Sequence, residues 1–203
     1  MTKAASLPAT EKTGAQKDVH MNIGEEICGE WLRHIKRCDF IQYNLQIPDA
    51  QGEIDVIGIN LKQRRVYACE VAIHLITGLQ YVKGKRPDNV PRLTRKFRKD
   101  HDYLCRYFDD YDRVLMLWSP VVKNQKKGAK YNQLDDVNQI IAEIHAECNI
   151  KIEAMINASF QKALAELRQC AREVTAASPS SVLRYLQIEE RLARHLELLR
   201  SKG

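Results

Sequence analysis

Two short β-rich runs that carry acids in their interiors constrain this chain more than anything else in it. Gly52-Glu-Ile-Asp-Val-Ile-Gly-Ile-Asn60 and Val66-Tyr-Ala-Cys-Glu-Val-Ala-Ile-His-Leu75 are rich in Ile, Val and Ala. Both read as strands, and the polar connector Leu61-Lys-Gln-Arg-Arg65 is short enough to pair them as neighbours. Pairing brings Asp55 near Glu70. A carboxylate in apolar surroundings is costly to desolvate and two of them repel, so a bound cation is the natural partner. Mg²⁺ suits the pair best, with Mn²⁺ as a substitute. It is a hard ion that takes a few carboxylate oxygens and completes its octahedron with water and substrate phosphate.

The segments around these runs extend the sheet. Ile41-Gln-Tyr-Asn-Leu-Gln-Ile47 alternates apolar and polar residues, as a half-buried strand does, and Pro48-Asp-Ala-Gln-Gly52 turns the chain into the next strand. A three-stranded meander follows. On its third strand Glu70, Ala72 and His74 share a face, which makes His74 a candidate base, phosphate contact or further ligand. Ahead of the meander a helix starts near Asn22, with Glu25 placed for a capping box and Ile27, Trp31 and Ile35 as its buried stripe. Glu25, Glu26 and Glu30 compete for a helical carboxylate role, and Glu26 is the one selected.

Arg113 to Val122 reads as a buried strand, Asp136 to Cys148 as a helix and Ile150 to Ile156 as a strand that completes a mixed sheet. From Ser159 the chain is helical. One helix runs from Phe160 to Val174, and after a break at Ala177-Ser-Pro comes a second, capped by Ser178 with Pro179 at its first position. In that second helix Val182, Tyr185, Leu192, Leu196 and Leu199 recur at a spacing near that of a heptad. The expectation is a helical hairpin packed on the sheet, against a second copy in a homodimer, or against another protein partner. Three parts result: a disordered leader over 1–20, a core over 21–157 and a C-terminal helical extension over 158–203.

The charge distribution marks one region. Between Lys83 and Lys99 stand Lys83, Lys85, Arg86, Arg92, Arg95, Lys96, Arg98 and Lys99 against the single acid Asp88. This segment reads as a loop with Gly84 and Pro87, then a helix that Asn89 can cap, whose buried stripe is Leu93, Phe97, Leu104 and Phe108. Lys96 lies at the edge of that stripe and can reach a cleft beside the sheet. Lys83, Lys85, Arg86, Arg92, Arg95 and Lys99 are candidates for contact with a phosphate backbone. The net charge of +6 permits a polyanionic partner without requiring one.

Gly-Glu-Ile-Asp, a short spacer and an apolar strand with a central Glu together resemble the core of the PD-(D/E)XK nuclease superfamily over roughly residues 22 to 122. The resemblance implies a restriction-endonuclease-like α/β fold, a mixed central sheet flanked by helices. It also implies a metal-dependent nuclease hydrolysing phosphodiester bonds of DNA, an endonuclease rather than an exonuclease. Asp55 and Glu70 match that family's metal-binding acids, and Glu26 would assist from the preceding helix. The family's Lys, two residues after the Glu, is replaced by Ala72. Some branches carry the Lys on a following helix, where Lys96 would be its counterpart, and His74 is the other residue able to fill the space. The missing Lys also supports an alternative, a catalytically inactive nuclease-fold module that binds nucleic acid or a protein.

Six cysteines stand singly, without Cys-x-x-Cys pairs or His clusters at zinc spacing, as buried free thiols in a reducing cytoplasm would. No run approaches the length of a membrane span, so no membrane partner is expected.

Overall fold

The computed structural model describes residues 22–47, 52–125 and 131–201. The leader expected over 1–20 lies outside the described residues, as does all but the last residue of the turn expected over Pro48–Gly52. Helix α1 (Ile23–His34) opens with both halves of a capping box: the Asn22 side chain accepts from the Gly24 amide, and Glu25 accepts from the Asn22 amide. Strands β1 (Phe40–Gln46), β2 (Glu53–Asn60) and β3 (Arg65–Val71) form the expected antiparallel meander. A two-stranded hairpin of β4 (Val82–Lys83) and β5 (Arg86–Pro87) leads into α2 (Asn89–Tyr107). It turns at Gly84 and Lys85, both with positive φ, the signature of a primed turn.

The chain then returns through β6 (Asp112–Ser119), α3 (Gln133–Cys148) and β7 (Ile152–Ile156), and ends in α4 (Ala158–Glu173) and α5 (Ser181–Arg200). The main sheet has the order β1-β2-β3-β6-β7, and β3, β6 and β7 run parallel. The fold is therefore α/β with a mixed five-stranded central sheet and five helices among the described residues.

Two apolar cores cover the sheet. On one face Trp31 of α1, Trp118 of β6 and Phe160, Ala163 and Leu167 of α4 pack together; on the other Leu93, Phe97 and Leu104 of α2 meet Leu115, Leu117, Ile140 and Ile144. The C-terminal helices are thus part of the first core. Glycine lets α1 approach closely, since a Cβ on Gly29 would lie 2.2 Å from the Tyr43 hydroxyl oxygen. Strand β1 changes sides along its length. Ile41 and Tyr43 join the α1 core, Leu45 and Ile47 join the α2 core, and the switch falls at Asn44, whose φ is 49°.

Several sequence expectations are corrected at element ends. Asn89 is the first residue of α2 rather than its cap. Its buried amide donates to the Leu79 carbonyl and to Asp136 and accepts from the Tyr81 amide, which ties the loop before α2 to α3. Helix α3 starts earlier than Asp136, because Asn132 caps it through the Leu134 amide. The cap of α5 is Ser180, accepting from the Leu183 amide, while Ser178 accepts from the Ser180 amide and Pro179 stays outside the helix. The thiols are all free, and those of Cys28, Cys38 and Cys69 are buried. Burial pushes the Cys38 thiol up to about 12, so it stays protonated and unreactive.

Candidate active site

The backbone pairing of β2 with β3 runs from Asn60↔Arg65 to Val56↔Cys69 and then stops. At the next step the Asp55 carboxylate replaces a backbone acceptor, taking the Val71 amide at 2.7 Å. The strands open there, and Asp55 and Glu70, 7% and 1% exposed, converge in the gap. Ala72 is buried among the apolar residues under α2. The cation in the gap comes from α2 instead. Lys96 Nζ lies 3.2 Å from Asp55 Oδ1 and in contact with Glu70 Oε2. Burial works to lower the Lys96 pKa, but the Glu70 and Asp55 carboxylates more than offset it, so the ammonium is held above its ordinary value.

A third carboxylate lies one helical turn beyond Lys96. Asp100 is 1% exposed, and neither of its oxygens has a hydrogen-bond partner, nor does Glu70 Oε1. The two side chains are close enough to bond if one of them keeps its proton; as two carboxylates they have no donor between them. Burial lifts the Asp100 carboxyl to about 7, against the pull of that bond and of Lys96. Burial also raises Glu70 well above the carboxylate range, helped by the charges of Asp100 and Asp55 and opposed by Lys96. The pair therefore holds either a shared proton or a cation's charge near neutral pH.

The sequence carried a signal for Asp100. It occupies a position of the α2 apolar stripe, between Phe97 and Leu104, where an acid has no reason to be unless it serves a site.

Other candidates sit differently. Glu26 does not face the gap: its Oε1 accepts from the Ser180 hydroxyl at 2.9 Å and the Val182 amide at 3.2 Å, so it caps α5 on the opposite face of the sheet. Its neighbour Glu25 is the helical carboxylate on the site's side. Burial raises its pKa, its bonds to Asn22 and Asn44 oppose that, and the Asp55 charge adds to it. Glu30 pairs with Arg33 and His34 on its own helix.

His74 does not stand on β3, which ends at Val71, paired there with Trp118 of β6. Its Nδ1 accepts from the Gln80 amide at 3.3 Å, and its ring meets Tyr81 edge to face at 5.1 Å. Tyr81 links this loop to the site: Lys96, Asp55 and Glu70 all act on its hydroxyl, and the Arg92 guanidinium stacks 4.4 Å from its ring centre. Of the basic residues, Lys83, Lys85 and Arg86 are exposed on the hairpin, Arg92 and Arg95 are exposed on α2, and Lys99 reaches Gly52 at the start of β2.

Among the described residues no group of three or more His, Cys, Asp or Glu side chains is arranged to hold a metal ion. The donor chemistry nevertheless fits a hard divalent cation: Asp55 and Glu70 present oxygens across one gap, and Glu70 Oε1 is buried without a donor. The class defined by fold and site is an α/β protein with a buried carboxylate–lysine centre where its sheet opens. No family model, curated protein or solved structure matches the chain.

Proposed function

We propose that the protein is a metal-dependent nuclease of the restriction-endonuclease-like kind, acting on DNA. The observation that carries this reading is the convergence of Asp55, Glu70 and Lys96. They come from three separate elements, and the lysine enters from α2 where the family's strand position is filled by Ala72. Asp55 and Glu70 would hold Mg²⁺ or Mn²⁺, which supplies an activated water and relieves charge on the scissile phosphate.

The chain's own residues do the rest. Asp55 is fixed by the Val71 amide, so one of its oxygens stays aimed into the gap. Lys96 is held protonated, which leaves it an electrostatic role rather than that of a base: its ammonium orients the attacking water or a phosphate oxygen. Asp100 backs Glu70 and competes with it for a proton. Lys83, Lys85, Arg86, Arg92, Arg95 and Lys99 supply cations for the backbone on either side of the cleaved bond.

One observation favours the second reading, an inactive module. Lys96 already bridges both carboxylates and can stand in for a metal's charge. The deciding experiment is cleavage of linear, circular and single-stranded DNA, with RNA alongside, in Mg²⁺, Mn²⁺ or EDTA. Wild type should cut only with metal, and Asp55→Ala and Glu70→Ala should abolish cutting. Lys96→Ala should lower the rate by about 10²-fold or more. No cleavage under any condition, with DNA binding that weakens steeply as salt rises, would replace the nuclease by the binding module.

A further inference from the structure

Helix α5 is apolar on two opposite sides. Its inner side, Leu183, Leu186, Gln187 and Glu190, is buried against α1 and α4. Its outer side carries Tyr185, Ile188, Leu192, Leu196 and Leu199, which remain 62%, 55%, 54%, 43% and 55% exposed. At 100° per residue these five fall within a stripe about 80° wide, on the side opposite the buried one. Beyond Glu190 every described residue of the helix is exposed. An amphipathic helix normally gives its apolar side to the core, and among the described residues nothing covers this second stripe.

The spacing of the stripe identifies what fits it. Relative to Leu192, the other four stand seven and four residues before and four and seven after. The pattern reads the same in both directions. A helix with that symmetry is matched by its own copy running antiparallel about a two-fold axis at Leu192, so that the Tyr185 end of one stripe meets the Leu199 end of the other. We infer that this face of α5 is a homodimer interface, isologous and centred on Leu192.

The area is consistent with a weak dimer. Each of the five side chains leaves about 100 Å² uncovered, so pairing them removes at most about 1,000 Å² from water, the lower bound for a specific interface. A lipid surface is a poorer match. Membrane-surface helices have a broad apolar face, whereas this stripe is only about 80° wide.

The test is sedimentation velocity of the full chain from about 1 to 500 µM, a range that spans the dissociation constants of interfaces this small. Wild type should pass from 23.4 kDa to about twice that mass. Leu192→Glu, which sets two like charges face to face on the axis, should stay monomeric with an unchanged circular-dichroism melt. Cysteine pairing then fixes the direction. Under mild oxidation Leu192→Cys should cross-link to itself, and an equimolar mixture of Tyr185→Cys and Leu199→Cys should give a heterodimeric band. Leu199→Cys alone should give no more cross-link than wild type. A chain monomeric throughout the range overturns the proposal, as does a dimer that Leu192→Glu leaves intact. Self-cross-linking of Leu199→Cys overturns the antiparallel geometry.

Discussion

Replacing Lys96 by Met tests the electrostatic logic of the site without reference to any substrate. The substitution keeps most of the side chain's packing and removes the cation that lies between Asp55 and Glu70. Removing one partner of a buried ion pair costs about 3–5 kcal/mol, because the other charge is left uncompensated. The Lys96 side chain is 26% exposed, so water can enter and screen part of the loss, which places the expected cost near 3 kcal/mol. For a chain of this size that corresponds to a fall in melting temperature of about 6–12 °C.

The assay is urea denaturation at about pH 7.5 in EDTA, so that no divalent ion can replace the ammonium. Glu70→Gln and the double variant complete the cycle. Once the acid is neutral, losing the lysine should cost far less, giving a coupling of about 2 kcal/mol. Added Mg²⁺ should restore much of the lost stability in the Lys96→Met protein and little in the double variant. The reasoning is refuted if Lys96→Met is as stable as wild type, or if the two losses add within about 0.5 kcal/mol. Either result would make the bridge an ordinary exposed ion pair.

Two further outcomes follow from the same geometry. Asp100 binds its proton more tightly folded than unfolded, at about 7 against 3.8, so its contribution to stability is complete below about pH 4 and lost as the pH rises through about 7. Denaturation midpoints in EDTA should fall over that window, and Asp100→Asn should flatten the profile; an unchanged slope would mean that Asp100 is ionised throughout. Glu26→Ala removes the acceptor for the Ser180 hydroxyl and the Val182 amide, at a cost of about 1–3 kcal/mol. Hydrogen exchange should show the loss in the first turns of α5 while β2 and β3 keep their protection. Equal loss in the strands would return Glu26 to the site.

Much of the architecture was legible because local chemistry dictates it. Asn22 and Glu25 start a helix whatever surrounds them, the short connectors between β1, β2 and β3 permit only a meander, and acids inside β-rich runs announce a site. The stripe of α2 was equally plain, and with it the position of Lys96. The sequence by itself thus determined the five strands of the main sheet, the five helices to within their ends, and the two acids that meet Lys96, since periodicity and desolvation cost are properties of neighbouring residues.

What it did not determine was which way isolated polar side chains turn. Glu25 and Glu26 are adjacent on one helix; one lies toward Asp55 and the other caps α5, and only the packing of α5 against α1 separates them. His74 lies past the end of β3, and its ring packs on Tyr81, which belongs with Ala72 to the core under α2. Asp100 came to lie beside Glu70 only when α2 settled on the sheet and buried both acids. Tertiary structure decided these because the free energy of a buried charge depends on partners distant in the chain, and no local pattern records where they will be.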